Sequence, residues 1–351
     1  MTGKRVYVGM SGGVDSSVTA ALLVERGYDV TGVYMKNWSR DLPGMKCPWA
    51  EDLADAKRVA VQLGIDFKVF DFENEYRHKV VDYMIDEYKK GRTPNPDVMC
   101  NQEVKFKLFL DAALEDGADM IATGHYARII TRDDLAYLQM ALDANKDQTY
   151  FLYRVSGEAL KRVLFPIGEY TKPQVRDMAK ERNLFTASKK DSQGICFVGQ
   201  IGIRDFLRQY VEEKAGNIID KKSGKIIGVH EGAIFYTIGQ RHGLNVGGGL
   251  PYYVIGKNMD LNEVYVTTDL NDGALWSNQI RLIDIHWINS HPKASQYKIR
   301  VRHRAPLIMA SLDYSNDGLN LSLENSDRQV ASGQSVVIYD GDICLGGGIV
   351  V

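Results

Sequence analysis

Residues 6–17 read Val6-Tyr7-Val8-Gly9-Met10-Ser11-Gly12-Gly13-Val14-Asp15-Ser16-Ser17, and a helix-like run follows to residue 26. Strand, glycine turn and helix in that order make an anion cradle. Glycine lets the backbone pass close to an oxyanion, and the first N–H groups of the helix point at it. No Lys precedes a Ser or Thr, which excludes a Walker loop. The glycine spacing does not fit the dinucleotide fingerprint either. The plainer alternative is an ordinary turn in which Asp15 or Ser16 caps the helix.

Outward from this stretch the first half of the chain alternates. Residues 30–35, 67–70 and 120–123 read as short apolar strands, and 16–26, 50–63, 73–89 and 101–115 as helices. Residues 91–97 form a proline-bearing loop, and 147–155 and 172–183 are helical. Apolar strands spaced by helical periodicity predict an α/β domain with a parallel sheet covered on both faces. Ligands bind such sheets beyond the C-terminal strand ends, where the glycine loop, Met35 and Gly124-His125 all fall. A helix over 203–213 follows. Beyond Gly216 the texture turns to short β-like runs at 225–236, 252–257, 263–268, 280–285, 297–301, 309–314, 319–323 and 335–339. Polar turns separate them, which predicts a small mixed central domain and then an antiparallel β-barrel. Gly346-Gly347-Gly348 marks a bend or bulge near the end. The expected boundaries are 1–200, 201–274 and 275–351.

The 351 residues are 44% hydrophobic and 25% charged, with a net charge of −2. That is ordinary globular composition. It offers no global basic field, so any nucleic-acid site must be a local patch. The start has neither a signal-peptide core nor transit-peptide composition, and no apolar run spans a bilayer, so a cytoplasmic protein without membrane contact is expected. The four cysteines, Cys47, Cys100, Cys196 and Cys344, are too scattered for a zinc knuckle, and no metal site of that kind is expected.

Two cysteines carry alternatives. Cys100 follows Asn95-Pro96-Asp97-Val98-Met99 and, on this reading, opens the helix at residue 101. There the helix dipole would favour the thiolate, with Asp97 near enough to move its proton. The alternative is a buried small hydrophobe. Cys196, in Asp191-Ser192-Gln193-Gly194-Ile195-Cys196-Phe197, has polar neighbours on one side and apolar ones on the other. Cys47 lies in a loop, and Cys344 on a late strand reads as structural. Asp147 either caps the helix after it or meets a ligand, and His125 is either a strand-end functional group or a core histidine. Lys298, Arg300, Arg302 and Arg304 alternate with apolar residues, which on a strand makes a basic stripe for phosphates or a solvated face.

Ser11-Gly12-Gly13-x-Asp15-Ser16 resembles the loop of ATP pyrophosphatases, which split ATP between its α and β phosphates. With Asn95–Asn101, Thr123-Gly124-His125-Tyr126-Ala127-Arg128, Lys146-Asp147-Gln148-Thr149-Tyr150, residues 191–197 and Tyr236-Thr237-Ile238-Gly239-Gln240-Arg241, the chain resembles the bacterial tRNA-specific 2-thiouridylase family almost end to end. The resemblance implies an adenine nucleotide alpha hydrolase-like first domain and a reaction in which sulfur replaces the 2-carbonyl oxygen of the wobble uridine. ATP would adenylate that oxygen, and AMP would leave with it. By the same resemblance Cys196 carries a persulfide from a sulfur relay protein or a cysteine desulfurase, and Cys100 resolves it as a disulfide. Asp97 would act as acid or base. ATP contacts fall on Gly9, Met10, Ser11, Gly12, Gly13, Val14, Asp15, Ser16, Met35 and Gly124. Those to tRNA fall on Asn95, Pro96, Asp97, His125, Lys146, Asp147, Gln148, Arg302, His303 and Gln334. Asp15 beside phosphates calls for Mg²⁺. The tRNAs would be those for Lys, Glu and Gln, met by a monomer. Cys100, Cys196 and Asp97 form an alternative ligand set for an iron–sulfur cluster.

Overall fold

The computed structural model describes residues 3–41, 47–190, 202–247 and 249–351. Its first domain holds β1 (Arg5–Gly9), β2 (Asp29–Lys36), β3 (Asp66–Asp71), β4 (Met120–Thr123), β5 (Ala127–Arg132), β6 (Leu135–Met140) and β7 (Val163–Leu164). Five of these form a parallel sheet in the order β3-β2-β1-β4-β7. Val6 and Val8 are fully buried and Tyr7 nearly so, because helices cover both faces. The chain steps from β1 to β2 to β3, then returns to the other side of β1 for β4. The crevice between β1 and β4, where Gly9 lies opposite Thr123, is therefore the switch point at which such sheets bind ligands. Helix α1 (Val14–Glu25) opens directly above it, and α2 (Trp49–Leu63) ends on Gly64 in the left-handed region.

The central domain is a four-stranded sheet of β8 (Gly216–Asp220), β9 (Ile226–His230), β10 (Tyr253–Asn258) and β11 (Glu263–Thr267), ordered β10-β11-β8-β9. Ile218, Val254, Val264 and Val266 form its core with Tyr236. The last six strands are β12 (Trp276–Trp287), β13 (Gln296–Arg300), β14 (Ile308–Ser315), β15 (Gly318–Arg328), β16 (Ser335–Asp340) and β17 (Ile343–Val350). They run β12-β15-β14-β13-β16-β17, and a β12–β17 pairing closes the ring. The expected α/β parallel-sheet domain, small central domain and antiparallel barrel are all present. The glycine triplet sits where β17 is squeezed between two neighbours. A Cβ at Gly346 would lie 2.1 Å from the His286 carbonyl oxygen, and one at Gly347 2.2 Å from that of Val336. The β16–β17 register shifts at Ile338/Tyr339, as a bulge does.

Several details depart from the sequence reading: the helix expected over 203–213 ends at Leu207, and the run at 225–236 is strand only over Ile226–His230. The β5–β6 hairpin was not expected, and β6 pairs with β17, so the barrel sheet extends into the first domain. Its turn uses Asp133 and Asp134, both at positive φ, instead of the usual Asn-Gly signal. The helix expected at residue 101 begins at Pro96, whose ring presets helical φ, and continues to residue 115. Cys100 is therefore inside that helix, not at its opening. The basic stripe does not exist as a strand face. β13 ends at Arg300, the chain turns over residues 301–304, and Arg304 has φ +63°. Arg300 is buried while Lys298 is exposed.

Candidate functional site

The glycine loop is held by close approaches that only glycine allows. A Cβ at Gly12 (φ +71°) would sit 2.5 Å from the Asp52 carbonyl oxygen, and one at Gly124 2.8 Å from the Ser16 amide nitrogen. Gly124 thus brings the end of β4 against the start of α1. Helix α1 opens on an extended Gly13 with no side-chain cap, so neither Asp15 nor Ser16 plays the capping role. Ser16 Oγ instead accepts the Ser11 N–H (3.2 Å) and donates to the Gly13 carbonyl (3.1 Å). These bonds brace the loop, and the first-turn amides of α1 have no intrahelical acceptor, which suits an anion at this helix start. Met35 reaches the same place from β2, its Cε 3.0 Å from where a Gly9 Cβ would stand.

Asp15 is neutralised within the protein. Lys172 Nζ lies 2.7 and 2.8 Å from its two carboxylate oxygens, and the Tyr126 hydroxyl donates to it at 2.9 Å. Lys172 is 8% exposed and is the first residue of the helix Lys172–Glu181, which carries a Thr171–Gln174 capping box. A cation at a helix N-terminus opposes the dipole. Two helix N-termini and a buried ammonium thus converge on one crevice, with the Asp15 carboxylate between them. The sequence reading missed Lys172. The Thr-Lys-Pro-Gln helix start, with a cation against the dipole, was the signal available.

The helix of residues 96–115 forms the next wall, and its segment Cys100–Leu108 is wound as a π-helix. Burial pushes the Asp97 carboxyl above its ordinary value, and Lys105 opposes the rise. Lys105 Nζ stands 3.5 Å from His125 Nε2. His125 is buried against Phe106 and Phe165, and its Nδ1 is 2.8 Å from the Thr123 hydroxyl. Burial holds its imidazolium far below 6.5, with Lys105 adding to the effect. In this structure His125 is a neutral core histidine directly after Gly124. Lys105, two turns beyond Asp97, joins these groups and was also missed; only its spacing could have marked it. Cys100 is 3% exposed and packs in the main core. Cys196 and its motif at 191–197 lie outside the described residues, so the pairing with Cys100 is not placed.

The remaining candidates gather where the barrel meets the first domain. Asn95 Nδ2 donates to the Tyr150 hydroxyl (3.3 Å), and that hydroxyl donates to the Ser335 carbonyl (2.8 Å). Pro96 is buried beside it. His303 packs on Phe151 with ring centroids 4.5 Å apart, and burial lowers its pKa. Gln334 Nε2 donates to the Thr93 carbonyl at 2.7 Å. Arg302 is exposed and donates to the Gln329 carbonyl at 2.9 Å. Gln148 Oε1 accepts the Tyr126 N–H (2.8 Å), and Lys146 is half-buried. Asp147 is 1% exposed. Its carboxylate accepts from the Ala141 N–H (3.1 Å), the Thr149 hydroxyl (2.8 Å) and Arg300 Nη1 (2.7 Å). Its side chain pins barrel to first domain and presents no surface to a ligand in this state. Cys344, buried beside that pair, is held far above ordinary thiol values by desolvation.

A glycine cradle at the switch point of a parallel sheet, with cationic walls and a barrel attached, defines an α/β nucleotide-binding enzyme with appended β modules. Family models agree in extent. Residues 4–200 match a tRNA methyl transferase HUP domain, 204–268 a tRNA methyl transferase PRC-barrel domain, and 277–350 an aminomethyltransferase β-barrel domain. Full-length relatives are more specific. The chain is 49% identical to the tRNA-specific 2-thiouridylase MnmA of Levilactobacillus brevis, over 99% of this chain and 95% of that one. It is 48% identical to those of Pseudomonas savastanoi pv. phaseolicola (99% and 94%) and Staphylococcus saprophyticus (98% and 94%). The chain belongs to the tRNA-specific 2-thiouridylase family, a family of sulfurtransferases. A 4-thiouridine synthetase–RNA complex with bound ATP overlaps 59% of this chain and 50% of its own, at 20% identity and TM-score 0.39, too loosely to align sites. No helix among the described residues is long and apolar enough to cross a membrane.

Proposed function

We propose that this protein is a tRNA-uridine 2-sulfurtransferase that activates the wobble uridine of Lys, Glu and Gln tRNAs with ATP. The observation that carries the reading is one continuous helix, residues 96–115. It links the Asn95-Pro96-Asp97 loop, next to the barrel, to the Lys105–His125 wall, next to the nucleotide crevice. An amide-like carbonyl oxygen is a poor leaving group, and adenylation makes it a good one. The uridine 2-oxygen attacks the α-phosphorus and pyrophosphate leaves. The loop amides Gly9–Ser16, Met35 and Gly124 hold the nucleotide, and Lys172 meets the phosphate charge. Among the described residues no group of three or more His, Cys, Asp or Glu could hold a metal. Mg²⁺ would therefore arrive with the phosphates, where it would supply charge neutralisation, and Asp15, shared with Lys172, would be the carboxylate beside it.

Asp97, with its raised pKa, moves the proton on the uridine ring. The target base has to leave its stack to reach this place. The terminal sulfur of a Cys196 persulfide, loaded by a relay protein or a desulfurase, attacks C2, and AMP leaves with the former 2-oxygen. The Cys100 thiolate then attacks Cys196 Sγ. The bond pair passes to the sulfur on C2, giving the thiocarbonyl and a Cys100–Cys196 disulfide that an external thiol reduces.

The test is thiolation of purified tRNA with ATP, Mg²⁺ and a persulfide source, omitting each in turn, on tRNA carrying an ¹⁸O-labelled 2-carbonyl. Label in AMP supports the reading, and unlabelled AMP refutes uridine adenylation. Thiolation at normal rate by Cys196→Ser would remove the persulfide role.

A further inference from the structure

The run Asn183–Lys189, which leads into the segment carrying Cys196, has no role in the chemistry above. It passes back along α2, from the end of that helix to its first turn. Gln62 Nε2 donates to the Asn183 carbonyl (2.6 Å), and Gln62 Oε1 accepts the Phe185 N–H (3.2 Å). The Arg58 guanidinium lies over the Phe185 ring, 4.9 Å from its centroid. Lys189 Nζ then reaches Asp55 Oδ2 (2.7 Å) and Asp52 Oδ1 (2.8 Å). Gln62, Arg58, Asp55 and Asp52 follow a helical spacing, so one face of α2 holds the whole run.

Lys189 is not an ordinary surface cation. Its partner Asp55 is buried, and removing one member of such a pair leaves the other charge uncompensated. The Lys189 main chain is fastened as well. Its N–H donates to the Thr186 carbonyl (3.0 Å), and its carbonyl accepts Arg176 Nη1 (3.1 Å). Arg176 belongs to the helix Lys172–Glu181, whose first residue neutralises Asp15. Asp52 is the residue whose carbonyl oxygen presses on Gly12. Two helices therefore grip Lys189, and the first turns of both meet the nucleotide loop.

We propose that Lys189 is a positioning residue for the sulfur-transfer step. Cys196 follows it by seven residues. Seven residues span at most about 25 Å when fully extended, so an anchor at Lys189 bounds where the sulfur can travel. The centre of that range lies beside Asp52 and Gly12, next to the nucleotide loop. Holding the nucleophile near the activated carbon lowers the entropy cost of the attack. Two carboxylates take up the Lys189 charge, so it acts on position and not on phosphate. The proposal rests on the persulfide reading of Cys196. It adds the device that ties the sulfur-bearing segment to the part of the fold that holds ATP.

The experiment uses the full-length protein, whole tRNA, ATP, Mg²⁺ and a persulfide source, in a single turnover with enzyme in excess. Pyrophosphate and 2-thiouridine are followed separately, which divides adenylation from sulfur transfer. Lys189→Met should slow 2-thiouridine formation about 10–100-fold, since a misplacement of about 1 Å can cost ~100-fold. The rate of pyrophosphate formation and the KM for ATP should stay at wild-type values. Lys189→Arg, which keeps the ion pairs, should restore most of the thiolation rate. Asp55→Asn leaves Asp52 and the glycine loop alone, and should show the same split at smaller size if Lys189→Met does not fold. Equal slowing of pyrophosphate and 2-thiouridine, a raised KM for ATP, or no slowing of either overturns the positioning role. Wild type that forms pyrophosphate but never thiolates, or Cys196→Ser that thiolates normally, overturns the parent reading instead.

Discussion

Replacing Asp147 by Asn separates a structural pin from an RNA contact. Arg300 and Asp147 form an ion pair at 2.7 Å, with side-chain exposures of 8% and 0%. Asn keeps the acceptor for the Ala141 N–H and the Thr149 hydroxyl, so the change removes mainly the charge opposite Arg300. Breaking a buried pair by removing one partner costs about 3–5 kcal/mol, because the other charge stays buried unpaired. Against a domain stability of about 5–15 kcal/mol, that is a large fraction. Adding Arg300→Met should recover about 2 kcal/mol, since the uncompensated cation is then gone. Urea unfolding followed by tryptophan fluorescence reads both. tRNA affinity, measured where the variants remain folded, should change less than threefold. If Asp147→Asn keeps wild-type stability but loses tRNA affinity, the carboxylate faces RNA and the pin is wrong.

Lys172→Met should lower kcat/KM for ATP by about 10–100-fold, as for loss of one charged stabilising group, with Lys172→Arg partly restoring it; an unchanged kcat/KM places Lys172 outside catalysis. Asp97 titrates above its ordinary 3.8 because of burial, so a base at this position fails as pH falls through a value higher than a normal Asp. Asp97→Asn should remove that acidic limb from the pH–rate profile and slow thiolation by about 10²–10⁴-fold; a limb that survives belongs to another group. His125 is neutral in the fold and titrates well below 6.5, so the unfolded chain takes up the proton first. Stability from this group is intact above pH 6.5 and falls as pH drops toward the folded value. His125→Phe should flatten that stretch of the stability curve. Lys257, pushed down to about 8 by burial, should give the opposite benefit when replaced. Lys257→Met should gain up to about 3 kcal/mol at pH 7, less about 1 for the lost bond to the Tyr236 carbonyl, and the gain should vanish near pH 10.5. Thermal melts at pH 7 and 10 check it, and equal gains at both refute it.

Local pattern determined much of this protein. A short continuous apolar strand, a glycine turn too tight for any Cβ and a helix start fix the nucleotide crevice within a dozen residues, because those constraints act between neighbours. The barrel strands were legible for the same reason, and so were the apolar strands of the parallel sheet. Only tertiary structure decided which charges stay available. The alternation from Lys298 to Arg304 reads as one basic face, yet Arg300 turns inward because Asp147, far away in sequence, waits there. Asp15 reads from the sequence as a lone carboxylate beside phosphates, and only the fold brings Lys172 against it. The Asp133-Asp134 hairpin hid because its turn residues are poor ones, tolerated when β6 gains a partner in β17. Pairings of this kind depend on groups more than 150 residues apart in the Asp147–Arg300 and Asp15–Lys172 cases. No window on the chain contains both, and only packing brings their charges within reach of each other.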